Sequence, residues 1–194
     1  MKRIAIFCGS SAGNDPAYIE AGKALGVYLA QNNIELVFGG GKVGMMGIIA
    51  DAVLENGGKA IGVIPSILKH KEVMHPGVQE MVVTRTMHKR KQIMYDLSEG
   101  FIALPGGYGT LDELFETITW SQLVIHQKPV AILNIEGFFN PLLDMIKFMV
   151  DKGFIAKINQ EIIISDTQIE PLFEKMKIFK PIMEGKHYFG KNKL

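Results

Sequence analysis

Two side chains in this sequence are set up for chemistry, Arg90 and Glu113. Arg90 belongs to Met87-His88-Lys89-Arg90-Lys91 at the start of a predicted helix, where each cation meets the positive end of the helix dipole at a cost of roughly 0.3–1 kcal/mol. Met87, Arg90, Met94 and Leu97 recur at helical spacing, so Arg90 falls on the inward stripe and needs a partner there. That partner is either a structural carboxylate or an anionic ligand, since the guanidinium fork suits phosphate and ribose oxygens. Lys89 reads as solvated. Glu113 closes Leu104-Pro105-Gly106-Gly107-Tyr108-Gly109-Thr110-Leu111-Asp112-Glu113. Buried beside Arg90, its carboxylate would transfer a proton or orient water. Thr110-x-x-Glu113 also fits a capping box, in which both side chains are spent on main-chain donors at a helix start.

The residues just before Glu113 form a glycine-rich turn between an apolar strand, Phe101 to Leu104, and a helix expected over Leu111 to Val124. Such turns let main-chain N–H groups approach an anion at the positive end of the helix. Two similar turns follow other predicted strands. The expected phosphate cradle therefore comprises Gly9 and Ser10; Gly40, Gly41 and Gly44; and Gly106, Gly107, Gly109 and Thr110. Gly39-x-Gly41-x-x-Gly44 matches the dinucleotide fingerprint, but the next strand ends Val63-Ile64-Pro65-Ser66, without the carboxylate that would hold ribose hydroxyls. This points away from a dinucleotide and leaves a mononucleotide phosphate. The chain has no Walker lysine.

Other candidates are weaker. Cys8, the single cysteine, reads as a small buried hydrophobe. His88 and His126 lack a metal partner in sequence, and His126 reads as a surface histidine. His70, His75, Glu72 and Glu80 lie in or beside an irregular stretch, Ser66 to Glu80, which is long enough to be a functional loop. Trp120 and Phe115 read as core or subunit interface. No cluster has zinc spacing.

Positioning these groups requires a scaffold, and strand and helix signals alternate along the chain. Strands are expected at Lys2 to Cys8, Ile34 to Phe38, Lys59 to Ile64, Met81 to Thr84, Phe101 to Leu104, Pro129 to Asn134 and Ile162 to Ser165. Helices should start at Asp15-Pro16 and cover Val43 to Glu55, Met87 to Leu97, Leu111 to Val124, Phe138 to Val150 and Gln168 to Phe179. The alternation predicts an α/β fold: a Rossmann-like doubly wound parallel sheet with helices on both faces, in a single domain over residues 1–180. Residues 181–194 are expected to be a loosely ordered tail. With 194 residues, 47% hydrophobic and 21% charged, one ample core is expected, and a net charge of +1 makes no case for nucleic acid or an anionic membrane. The start has a basic pair and an apolar run too short for a signal peptide, so a cytoplasmic protein is expected.

Met87-His88-Lys89-Arg90-Lys91 together with Pro105-Gly106-Gly107-Tyr108-Gly109-Thr110-Leu111-Asp112-Glu113 resembles the paired signatures of the LONELY GUY family, the cytokinin riboside 5′-monophosphate phosphoribohydrolases. The resemblance extends to Phe7-Cys8-Gly9-Ser10-Ser11, Gly39-Gly40-Gly41, and Thr119-Trp120-Ser121-Gln122-Leu123. It implies a Rossmann-like homodimer that cleaves the N-glycosidic bond of a nucleoside 5′-monophosphate, with no metal or organic cofactor. Arg90 and Glu113 match the catalytic pair. Lys91, Gly107, Tyr108, Gly109, Thr110, Leu111, Asp112 and Thr119 match substrate contacts, and Glu72 matches another when the loop is aligned without a gap. Family members have often been labelled lysine decarboxylases, a reaction that needs pyridoxal phosphate on a lysine. A nucleotide- or molybdenum-cofactor-binding carrier on the same scaffold is the alternative, needing the cradle but not the Arg90 and Glu113 pair.

Overall fold

A computed structural model of the chain describes residues 1–69 and 74–182. His70, Glu72 and residues 183–194, most of the expected tail, lie outside them. Seven strands form one all-parallel sheet: β1 (Arg3–Phe7), β2 (Glu35–Phe38), β3 (Ala60–Pro65), β4 (Glu80–Thr84), β5 (Gly100–Ala103), β6 (Val130–Leu133) and β7 (Ile163–Asp166). Their order is β4-β3-β2-β1-β5-β6-β7. The chain winds outward in one direction from β1, then returns beside it with β5 and winds the other way. The switch point between β1 and β5 opens a crevice at the carboxyl ends of the strands, the usual place for a ligand in such a sheet.

Burial on both faces explains the strand sequences. In β1, Ile4 and Ile6 point into one core layer while Ala5 and Phe7 point into the other. This gives the continuous apolar runs typical of a parallel sheet. Helices α1 (Pro16–Gln31), α2 (Gly44–Glu55) and α6 (Ile169–Lys177) cover the first face, through residues such as Leu25, Ile49 and Phe173. Helices α3 (Met87–Leu97), α4 (Tyr108–Gln122) and α5 (Asn140–Asp151) cover the second, through Met94, Leu114, Leu142 and Leu143. Asp15 caps α1 as its sequence suggests, with Oδ1 accepting the Ala17 N–H at 2.9 Å and Pro16 in the first turn.

Two helix starts differ from the sequence expectation. α5 begins at Asn140 rather than Phe138, because a short 3-10 turn, Ile135–Gly137, intervenes and Asn134 Oδ1 takes the Phe139 N–H at 2.8 Å. α4 begins at Tyr108, three residues before the expected Leu111. The second shift changes the reading of the site.

Candidate active site

Two of the three glycine turns meet at the switch point. The Gly9 N–H donates to the Pro105 carbonyl at 3.2 Å, tying the turn after β1 to the turn after β5. A Cβ on Gly106 would stand 2.7 Å from the Gly9 nitrogen and 2.1 Å from Thr110 Oγ1, so this approach requires glycine. The third turn packs from the side: Gly44 has φ +65, and a Cβ there would meet the Ser10 backbone at 2.3 Å. Its neighbours face elsewhere. Gly40 lies against Ile64, Val63 and Met81, and Gly41 pairs with Met74 in an isolated antiparallel bridge. Of the cradle expected from sequence, Gly9, Ser10, Gly107, Gly109 and Thr110 line the cavity described next. Gly40, Gly41, Gly44 and Gly106 shape or back the turns from outside it.

The cavity encloses about 290 Å³ and ends, at depth, on Arg90 and Glu113. Its rim is the start of α4. Gly107 is the N-cap in an extended conformation, and no side chain caps the helix. The capping-box reading therefore fails: with the helix starting at Tyr108, Thr110 and Glu113 lie within it, the wrong places to cap it. Both side chains are left over. Thr110 Oγ1 and Glu113 Oε1 are buried and make no hydrogen bond. An uncapped helix start and two orphaned buried oxygens around one cavity are the state expected of a site built for a polar ligand.

Arg90 reaches the cavity from α3, whose start is fixed by Thr86 accepting the Lys89 N–H at 3.1 Å. Its side chain is only 12% exposed. Nε donates to the Val63 carbonyl at 3.0 Å, Nη1 lies 3.2 Å from Met87 Sδ, and Nη2 stands 3.5 Å from Glu113 Oε1. The last is an ion pair longer than a hydrogen bond, which leaves both groups able to engage a ligand. Burial pushes the Glu113 carboxyl up to about 7, against the opposing pull of Arg90. A carboxyl held near neutrality beside an arginine in a cleft has the poise of an acid–base group. Cys8 also lines the cavity, but burial raises its thiol far above the ordinary value and the Glu113 charge adds to this. It is a wall, not a nucleophile.

The remaining sequence candidates divide by location. Tyr108, 95% exposed, stands at the rim. Lys91 points between α3 and α4, with Nζ 3.1 Å from Asp112 Oδ2 and 3.2 Å from Glu116 Oε1. Burial alone would lower its pKa, but these two hydrogen bonds outweigh it and hold the ammonium above its ordinary value. The carboxylates of α4 thus offset the cations at the start of α3. Leu111, Asp112 and Thr119 lie on the outer side of α4, lining a separate open groove with Tyr108, Phe115 and Trp120. Trp120 also packs edge-on against Tyr95 at 4.9 Å.

The histidines are structural. His126 is buried rather than on the surface, with Nε2 2.8 Å from the Thr117 carbonyl and Nδ1 accepting the Lys128 N–H. His75 is likewise buried, with Nε2 2.9 Å from Asp51 Oδ1 and Nδ1 accepting the Gly77 N–H, which pins its loop to α2. Among the described residues, no group of acidic, histidine and cysteine side chains is placed to hold a metal, and no helix is long and apolar enough to cross a membrane. Sequence reasoning missed Gly39 and Met46, which line the cavity beside Arg90. The signal available for Gly39 was the space a buried guanidinium needs.

The family described as possible lysine decarboxylase matches residues 46–176. Two cytokinin riboside 5′-monophosphate phosphoribohydrolases of Arabidopsis thaliana are 48% and 46% identical over 180 residues, 93% of this chain and 84% and 83% of theirs. A third from Oryza sativa subsp. japonica is 45% identical, over 94% of this chain and 76% of its own. Among solved structures, the molybdenum cofactor binding protein from Rippkaea orientalis superposes with a TM-score of 0.68 over 90% of this chain and 94% of its own, at 24% identity. A Moco carrier protein from Chlamydomonas reinhardtii does so at 0.67 over the same shares, at 20% identity. At these identities the two structures show the shared fold alone.

Proposed function

The chain belongs to the LONELY GUY family of cytokinin riboside 5′-monophosphate phosphoribohydrolases, and from that premise we propose that it hydrolyses the N-glycosidic bond of nucleoside 5′-monophosphates, AMP among them, to free base and ribose 5-phosphate. The observation that carries this reading is the buried, hydrogen-bond-free Glu113 carboxyl, 3.5 Å from Arg90 at the foot of a cavity whose rim is an uncapped helix start. The 5′-phosphate takes the place of the missing cap, accepting from the free N–H groups in the first turn of α4 and from the Thr110 hydroxyl. The ribose then lies over the carboxyl edge of the sheet with its anomeric carbon toward Glu113. As the base departs, positive charge grows on the sugar, and the Glu113 carboxylate stabilises it while positioning water. Arg90 holds the sugar phosphate and sets the charge state of Glu113. The decarboxylase description fits these residues poorly: pyridoxal phosphate is held through an imine to lysine, and the described residues lining the cavity include no lysine. A cytoplasmic location accords with a single cysteine and a phosphorylated nucleotide substrate.

The test is to incubate the purified chain with AMP and with a cytokinin riboside 5′-monophosphate and to separate the products by chromatography. Free base is expected. A carrier would return the nucleotide intact, and that result would overturn the reading.

Arg90→Lys is expected to lower kcat/KM at least about tenfold, roughly 1.4 kcal/mol of transition-state stabilisation, with the fold intact. Arg90 uses three different nitrogens on Val63, Met87 and Glu113, and an ammonium cannot reproduce that fork. A larger effect from Lys89→Ala would show that the wrong member of the basic run has been chosen.

A homodimer completes this reading. Leu111, Asp112 and Thr119 match substrate contacts yet lie outside their own chain's cavity, on a groove beside the exposed Phe115; Leu123 and Ile125 are exposed just beyond the end of α4. A twofold copy packed on α4 would cover this apolar surface and bring those residues toward the neighbouring site. Trp120→Glu should weaken association and activity together. Because Trp120 also supports Tyr95, Phe115→Glu is the cleaner variant. Sedimentation with AMP hydrolysis across protein concentration checks this, and a fully active monomer would contradict it.

A further inference from the structure

Gly39 follows β2 and lines the cavity directly against Arg90. An ideal Cβ at this position would stand 2.3 Å from Arg90 Nη2, 3.5 Å from its Cζ and 2.8 Å from Met46 Sδ. No backbone atom is among these neighbours. Gly39 also differs from Gly40 and Gly44 in that its φ lies outside the left-handed region, so its backbone accepts an L-residue. The absence of a side chain at position 39 therefore serves space, not backbone conformation, and the space is taken by one end of one guanidinium.

We propose that Gly39 is a positioning residue for the reaction: its missing side chain is the seat that holds the Arg90 guanidinium against Glu113. The proposal rests on the reading of Arg90 given above. The Val63 carbonyl fixes Nε at 3.0 Å and so acts as the pivot, while Gly39 decides where the Nη2 end can swing. A methyl group at 39 leaves the fold a cheap escape, because the ends of Arg90 and Met46 are both flexible. The site has no such escape. Restoring ordinary contact moves Nη2 by about 1 Å, and a misplacement of that size at a reacting centre costs on the order of a hundredfold in rate.

The experiment is a double-mutant cycle with AMP, supported by a crystal structure. Gly39→Ala should lower kcat about a hundredfold while thermal unfolding stays close to wild type. Arg90→Lys ends short of the Nη2 position, so adding Gly39→Ala to Arg90→Lys should cost less than about threefold more. The crystal structure of Gly39→Ala should show the guanidinium displaced with Val63 and β2 in place. The proposal is overturned if Gly39→Ala is active within twofold of wild type, if it costs the same factor in both backgrounds, if the guanidinium has not moved, or if the variant fails to fold. Failure of the wild-type chain to cleave AMP would instead strike the proposed function, and the displacement of Arg90 remains readable without activity.

Discussion

Replacing Glu113 with glutamine is expected to reduce base release from AMP by roughly 10²–10⁴-fold, the range of a positioned acid–base group, while leaving the protein as stable as wild type or more so above neutral pH. Glutamine keeps the shape and loses the charge. Because Glu113 makes no hydrogen bond and does not cap α4, no structural partner is lost. The sign of the stability change follows from the raised carboxyl, at about 7 in the folded chain against 4.5 for the unperturbed group. The folded state holds a proton that the unfolded state has released between those values, so wild-type stability falls as pH rises through that window and is lowest above 7. The cost there is roughly 3 kcal/mol by the usual conversion of pKa shift to free energy. Glu113→Gln escapes this cost, and its advantage in melting temperature should shrink as pH falls toward 5. The wild-type kcat should rise with pH, with a midpoint at or above 7, since bound phosphate can only push the carboxyl further up. The variant should lack that rise. A glutamine variant with full activity, or one that keeps the same pH limb, would remove Glu113 from the chemistry.

Adenosine is expected to be cleaved at least about a hundredfold less efficiently than AMP. Hydrogen bonds to a charged group contribute about 1.5–3 kcal/mol each, and the account places the first-turn N–H groups of α4 and the Thr110 hydroxyl on the phosphate. Those interactions lie away from the bond that breaks, yet they seat the ribose over Glu113, so their loss should lower kcat as well as raise KM. Comparison of kcat/KM for the two substrates, with kcat resolved separately, checks this. Similar values would mean that the uncapped start of α4 does not hold phosphate.

The sheet was legible because its signals are local and repeated. Apolar runs such as Ile4 to Phe7 and Phe101 to Leu104, each followed by glycine, need no distant partner to be read as buried parallel strands. The inward stripe of α3 likewise placed Arg90 correctly, since helical spacing alone puts it beside Met94. The start of α4 was harder. Gly107 and Gly109 are poor helix formers, and only the approach of Gly9 to Pro105 fixes the turn so that the helix starts at Tyr108. The division of the contact residues between the inner cavity and the outer groove was also hidden. It depends on which side of α4 meets the sheet, and Leu114 settles that through packing. His126 read as a surface residue because its partners, Thr117 and Lys128, become neighbours only when the segment after α4 turns back.

The most direct measurement is of both products from one reaction. When the purified chain is incubated with AMP at neutral pH, the account predicts adenine and ribose 5-phosphate in equal amounts, with neither adenosine nor inorganic phosphate formed. AMP returned intact, or phosphate released with the glycosidic bond whole, would contradict it.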